Sequence, residues 1–261
     1  MKKLKINPLV PFGVEIISDS EDVILDTLSP KDIVDLLNQY KMVLFRGFYA
    51  PNKDELSEFS KSIGPLLEWE FGHVMEMKSQ DDAKNYLFTQ GHVPFHWDGA
   101  FYQAPRYLVF HCIDAPDTNA GGETLFCNTT ALWESVSDDE KNEWKKITIY
   151  YETEKLAHYG GKISVPMVQK HPQTDEAILR FAEPVPTTML NPVSVTVADF
   201  PLHDSDAFIN DLALRCYQPD NCYTHTWSDN DLLLVDNFSL IHARHSFTKS
   251  SKRHLRRIQI L

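Results

Sequence analysis

The chain has 261 residues, of which 43% are hydrophobic, and 37 acidic against 25 basic side chains give a formal net charge of −12. That length and apolar content can fill a core, while the acidic excess argues against a nucleic-acid partner, which needs clustered cations. No run approaches the ~18 apolar residues of a membrane span, and the basic start Met1-Lys2-Lys3-Leu4-Lys5 runs into Asn7, Pro8 and Pro11 instead of an apolar signal core.

In chain order, a short strand at 13–17 precedes Ser29-Pro30, where a capping side chain and a proline at the first helical position open a helix with Ile33, Val34, Leu36, Leu37 and Tyr40 on its apolar face. Residues 42–45 read as a buried strand ended at Gly47. A second helix starts at Asn52, with Glu55 completing a capping box, and stops at Gly64-Pro65. Residues 66–94 are weakly patterned, which inside a compact domain marks either a lid or a misread element; a lid is the preferred reading. Strands follow at 107–113 and at 123–127, then a helix capped by Ser137 and Glu140 that reaches Trp144, then a strand at 147–151. A hairpin spans 166–181, an amphipathic helix starts at Ser205, and 232–235 and 255–261 are the closing strands. Many short strands with few helices predict a mainly β fold with flanking helices, a sandwich or double-stranded β-helix (jelly roll). It is expected to form one domain over 1–261, with a helical flank to about residue 65 and the jelly-roll core from about residue 85. Cys112, Cys127, Cys216 and Cys222 show no Cys-x-x-Cys spacing and read as free thiols in a reducing compartment, so a cytoplasmic protein with small-molecule partners is expected, a homo-oligomer left open.

The chemistry centres on Pro94-Phe95-His96-Trp97-Asp98-Gly99. In an extended strand His96 and Asp98 leave the same face, and Trp97 points the other way, toward core. Such a pair is no more frequent here than composition gives by chance. His242, after the apolar strand and the Asp236-Asn237 turn, completes two histidines and a carboxylate, the set that binds one face of an octahedral Fe(II) and leaves three positions open. A chelating 2-oxo acid and dioxygen would fill them. The distal carboxylate of 2-oxoglutarate then needs a buried cation, and Arg253 and Arg257, four apart on one face of the last strand with Arg256 on the other, suit that task.

His96-x-Asp98, Gly121-Gly122-Glu123-Thr124-Leu125-Phe126, His171-Pro-x-Thr174-Asp175, Asp236-Asn237-x4-His242, Arg253 and Arg257, in that order, resemble the taurine dioxygenase (TauD/TfdA) family of Fe(II)/2-oxoglutarate-dependent dioxygenases over roughly residue 85 to the C-terminus. The resemblance implies iron at His96, Asp98 and His242, 2-oxoglutarate at Thr124 and Arg253, Arg257 beside it on either co-substrate or substrate, and O2 as oxidant. The reaction it implies converts 2-oxoglutarate to succinate and CO2 as a substrate carbon is hydroxylated or desaturated. Asn85-Tyr-Leu-Phe88, Val93-Pro-Phe-His-Trp-Asp-Gly-Ala-Phe101 and Ala120-Gly-Gly-Glu-Thr-Leu-Phe126 are similar to the PvcB-type oxygenases, which act on a tyrosine-derived isonitrile and give a vinyl isonitrile. The alternative within the family is hydroxylation of taurine, another sulfonate or a small carboxylic acid. Two other classes are a non-catalytic jelly-roll binding or iron-sensing module, which has no need of a carboxylate clamp, and a zinc hydrolase, which needs a general base close by. Candidate substrate contacts are His73, His92, Phe101 and Tyr102, with His158 and Lys162 in a mobile cover around Gly160-Gly161.

Overall fold

The computed structural model describes residues 4–156, 159–198, 202–248 and 251–261. In chain order these form β1 (Lys5–Pro8), β2 (Val14–Ile17), α1 (Pro30–Tyr40), β3 (Met42–Arg46), α2 (Lys53–Ile63), β4 (Met75–Lys78), β5 (Val93–His96), β6 (Tyr107–Asp114), β7 (Thr124–Asn128), α3 (Thr129–Ser135) and α4 (Asp138–Trp144). There follow β8 (Thr148–Leu156), β9 (Tyr159–Pro166), β10 (Val168–Lys170), β11 (Ala177–Leu179), β12 (Ser194–Val197), α5 (Leu202–Cys216), β13 (Cys222–His225), β14 (Leu232–Asp236), β15 (Leu240–Arg244) and β16 (His254–Ile260).

Two sheets make the jelly roll. The larger has the order β1-β2-β3-β14-β6-β16-β4 and the smaller β13-β7-β15-β5. Between them lie Phe110, Phe126, Trp227, Leu233, Leu240 and Leu255. β14 shows why its sequence is apolar without alternation: Leu233 and Val235 face this inter-sheet core, while Leu232 and Leu234 face the helical layer. Both faces are covered, so neither is polar. On the outer face α1 and α2 press Ile33, Leu37, Leu56 and Phe59 onto the larger sheet. Each helix begins as its sequence predicts: Ser29 accepts from the Asp32 amide and Asn52 from those of Asp54 and Glu55, with Asp32 and Glu55 reciprocating. The outer face of the smaller sheet carries α3, α5 and the β8–β9 and β10–β11 hairpins over a core that includes Leu132, Tyr151, Leu179, Ile209 and Ile241.

Three expectations are corrected. The 66–94 stretch is not a free lid: Met75–Lys78 is a strand, β4, hydrogen-bonded to β16 at the sheet edge. Its sequence Met-Glu-Met-Lys has weak strand character, and pairing with a neighbour distant in sequence is what makes it a strand. Gly160-Gly161 likewise belongs to β9, paired with β8, instead of forming a loose loop. The helix expected from Ser205 begins earlier, at Leu202, and α3 after Asn128 adds a helix the pattern did not predict.

The turn between β14 and β15 is held from within. Asp236 accepts from the amides of Phe238 and Ser239 and from the Ser239 hydroxyl, and His171 Nε2 lies 2.8 Å from its Oδ2. His171 Nδ1 accepts from the amides of Gln173 and Thr174, so Nε2 carries the proton and donates to the carboxylate. Both side chains are about 1% exposed. Asp236→Ala leaves several of these donors unsatisfied and is expected to cost about 3–5 kcal/mol in urea unfolding; a loss under about 1 kcal/mol would remove this turn from the fold's main supports.

Candidate active site

β5 and β15 pair antiparallel with His96 directly opposite His242. Opposed residues share a face, so the two imidazoles project together into the space between the sheets, with ring centroids 4.3 Å apart. The extended strand expected through Asp98 is corrected: β5 ends at His96 and Asp98 lies in the following turn. The turn requires Gly99, whose φ is +82° and where a Cβ would stand 2.1 Å from the Gln103 carbonyl oxygen. Asn237, fully buried in the β14–β15 turn, then clamps the Asp98 backbone: its Oδ1 accepts from the Asp98 amide at 3.0 Å and its Nδ2 donates to the Asp98 carbonyl at 3.1 Å and to Pro105 at 2.9 Å. The Asp98 carboxylate thereby lies with Oδ1 3.8 Å from His96 Nε2 and 3.7 Å from His242 Nε2. One ligand atom from each of the three lies within 4.8 Å of the others, and among the described residues no other group of histidine, cysteine or carboxylate side chains converges in this way.

The donor set suits a divalent metal. His96 Nδ1 donates to the Pro94 carbonyl at 2.9 Å, which leaves Nε2 unprotonated, and that atom is buried with no hydrogen-bond partner. Burial pushes both imidazoles toward the neutral form, His242 well below the ordinary histidine range, with His96 beside it adding to the effect. Burial opposes ionisation of Asp98, but Arg257, the two histidines and Gln259 outweigh it and hold the carboxyl below its usual range. Gln259 Nε2 donates to Oδ2 at 2.6 Å and Arg257 Nη1 lies 3.0 Å from the carboxylate. All three groups thus stand in their metal-binding forms near neutrality.

Thr124, Arg253 and Arg257 are brought together beside this cluster. A narrow cleft lined by His96, His242, Thr124, Arg244, Arg253 and Arg257 runs between the sheets. Arg253 precedes β16, is buried, and among the described residues has no carboxylate partner; its Nε donates to the Gly122 carbonyl at 2.9 Å. Burial, with Arg244 adding to it, pushes its pKa down to about 9. Thr124 Oγ1 accepts from Trp227 Nε1 at 2.9 Å, leaving the hydroxyl proton to be given elsewhere. Arg256 lies on the other face, paired with Glu76.

A second cavity of about 190 Å³ meets the first at His96 and Arg257, which line both. Its walls include Trp69, Met75, Tyr86, Trp97, Phe101 and Tyr102. Of the candidate substrate contacts, Phe101 and Tyr102 are therefore on the wall, and Trp97 is both core and wall. His92 stands behind it, with Nε2 3.3 Å from the Tyr217 hydroxyl. His73 is bound to the Leu67 carbonyl and lines neither cavity. Lys162 is exposed on β9 and paired with Glu152 at 3.4 Å, away from the cavities. His158 lies outside the described residues. Sequence reasoning missed Gln259, although it alternates with Arg257 on the same strand face and was open to the same period-two argument. It quoted Asn237 in the Asp236-Asn237-x4-His242 motif without giving it a role, and it missed Trp69 and Glu183, which pattern alone does not mark.

Residues 5–259 match the family described as taurine catabolism dioxygenase TauD, TfdA family. The chain is 40% identical over 262 residues to a 3-((Z)-2-isocyanoethenyl)-1H-indole synthase of Fischerella ambigua, covering 99% of this chain and 96% of the relative. It is 32% identical over 230 residues to a tyrosine isonitrile desaturase of Pseudomonas aeruginosa, covering 86% and 79%. A solved structure described as PvcB, an Fe, alpha-ketoglutarate dependent oxygenase from an isonitrile synthetic pathway, superposes with a TM-score of 0.80 at 28% identity, over 98% of this chain and 91% of that one.

Two outcomes are expected of the ligand-free site. Because Arg253 has no carboxylate partner among the described residues, Arg253→Met is expected to leave the protein at least as stable as the parent in urea unfolding, where breaking an ordinary buried ion pair costs about 3–5 kcal/mol. Because both histidines are held below their ordinary pKa, protons compete with metal only at low pH: Mn(II) affinity stays flat from about pH 8 to about pH 6.5 and falls below that range.

Proposed function

Since the chain belongs to the TauD/TfdA family and is an Fe(II)/2-oxoglutarate-dependent dioxygenase, we propose that it oxidises an aromatic isonitrile acid, removing hydrogen from the carbon chain beside the ring to give a vinyl isonitrile. The observation that carries this reading is the meeting of two unlike cavities at one cluster of metal-binding side chains: a cationic cleft on one side and an aromatic chamber on the other. A taurine-sized sulfonate has no use for so aromatic a chamber.

In this reading His96, Asp98 and His242 hold iron. Iron chelated by 2-oxoglutarate supplies, with O2, the oxidant for a C–H bond while 2-oxoglutarate becomes succinate and CO2. The remaining work is the chain's own. Gln259 and Arg257 orient the Asp98 carboxylate, and Pro94 and the β5–β15 register orient the histidines. Arg253 and the Thr124 hydroxyl take the distal carboxylate of 2-oxoglutarate, which gives the buried guanidinium the anion it lacks. Arg257, whose Nη2 among the described residues meets the Met75 thioether, stands where the two cavities join and can also face the substrate's carboxylate. The aromatic walls exclude water and stack on a ring. The free thiols support a reducing, cytoplasmic setting for this chemistry.

Asp98→Ala is expected to reduce substrate-dependent succinate formation to background. Arg253→Ala should raise the Kd for 2-oxoglutarate, followed anaerobically by the visible band of the chelated keto acid with Fe(II), about 30-fold or more, corresponding to about 2 kcal/mol at the least. Formation of succinate with taurine but with neither the tryptophan- nor the tyrosine-derived isocyano acid would overturn the substrate assignment.

A further inference from the structure

Among the described residues, the aromatic chamber contains one carboxylate besides Asp98, Glu183, that neither iron nor co-substrate accounts for. Glu183 lies half-buried on its wall. Its Oε1 is fully engaged, accepting from the Phe95 amide at 2.8 Å and from the Tyr217 hydroxyl at 2.7 Å, and its own amide donates to the Phe95 carbonyl at 2.8 Å. Phe95 adjoins the metal-binding His96, so Glu183 is fixed to the strand that carries the metal site. Its Oε2 has no hydrogen-bond partner among the described residues. Arg257, the one cation on the chamber wall among the described residues, is taken up by Asp98. A carboxylate acts only as an acceptor, and Oε2 is not among the buried atoms that lack a partner, so a ring that covers it must bring a donor or leave the acceptor desolvated.

Resting on the reading of an aromatic isonitrile acid as substrate, we propose that Glu183 is a specificity-determining residue whose Oε2 accepts a hydrogen bond from an N–H or O–H on the substrate's ring. The chamber then takes indole and hydroxyphenyl rings and rejects an unsubstituted phenyl ring, because the latter leaves the carboxylate desolvated and unmatched. His92, behind Tyr217, contributes to this through the Tyr217 hydroxyl and touches no substrate.

Glu183→Gln isolates the effect. The two donors on Oε1 keep the amide oxygen in place, so the fold is retained, and the free position changes from acceptor to donor. With the protein loaded with Zn(II) and N-oxalylglycine, ligand-observed NMR titration is expected to give indole a Kd about tenfold below that of its isostere benzofuran, and phenol one about tenfold below toluene, with both preferences abolished in Glu183→Gln at an unchanged melting temperature. Absence of the preference in the parent, or its persistence in the variant, overturns the proposal. Turnover separates this inference from the reading beneath it. A Glu183-dependent ring preference without turnover of any isocyano acid by the parent upholds Glu183 as a ring-donor acceptor and removes the proposed substrate. Turnover of the tryptophan-, tyrosine- and phenylalanine-derived acids with the same KM ratios in parent and variant upholds the substrate class and removes Glu183.

Discussion

The site depends on one register. His96 meets His242 across β5 and β15, and a slip of one residue would send one imidazole to the opposite face, into the layer of Cys127, Ile241 and Ala243. Several independent contacts hold that register. β15 is also paired to β7, with Ile241 opposite Cys127. Arg244, at the end of β15, reaches back to the carbonyls of Leu87, Thr89 and Gly91 and so fixes the segment that enters β5. The Asn237 clamp then sets Asp98 relative to the same pair of strands. Catalytic geometry here is sheet geometry carried to its last hydrogen bond.

Charge is arranged with equal economy. Arg257 neutralises Asp98, whereas Arg244 and Arg253 are buried without a carboxylate among the described residues and stand 5.3 and 5.8 Å from the ring of Phe247. Desolvating a cation without a counter-ion opposes folding. In the proposed reading, that cost favours a dicarboxylate over water in the cleft, since the dicarboxylate supplies the missing charge. In that reading stability and co-substrate affinity pull against each other at Arg253, as they often do at sites preorganised for function.

Much of this was legible in the sequence because the chemistry restricts residue type. Iron needs particular donors and a buried carboxylate needs a cation, so His96, Asp98, His242, Thr124, Arg253 and Arg257 stand out by type and order. The helices α1 and α2 were legible for a local reason, their capping boxes. What stayed hidden is set by tertiary pairing. β4 is a strand because β16 is beside it, and Asp98 points to the histidines because Asn237, 139 positions away, holds its backbone. Glu183 carries no local mark at all; only its meeting with Phe95, 88 positions away, places it at the chamber.

The Asn237 clamp has a consequence for how the protein acquires its metal. In many small metalloproteins the ion gathers ligands from a disordered chain, and removing it unravels them. Here Asp98, the proposed carboxylate ligand, is held by amide hydrogen bonds, and the proposed ligands His96 and His242 by a strand ladder. On the proposed ligand set, acquiring iron fills a finished socket and is not a step in folding. An oxygenase whose iron is lost through oxidation remains an intact vessel, ready to be charged again.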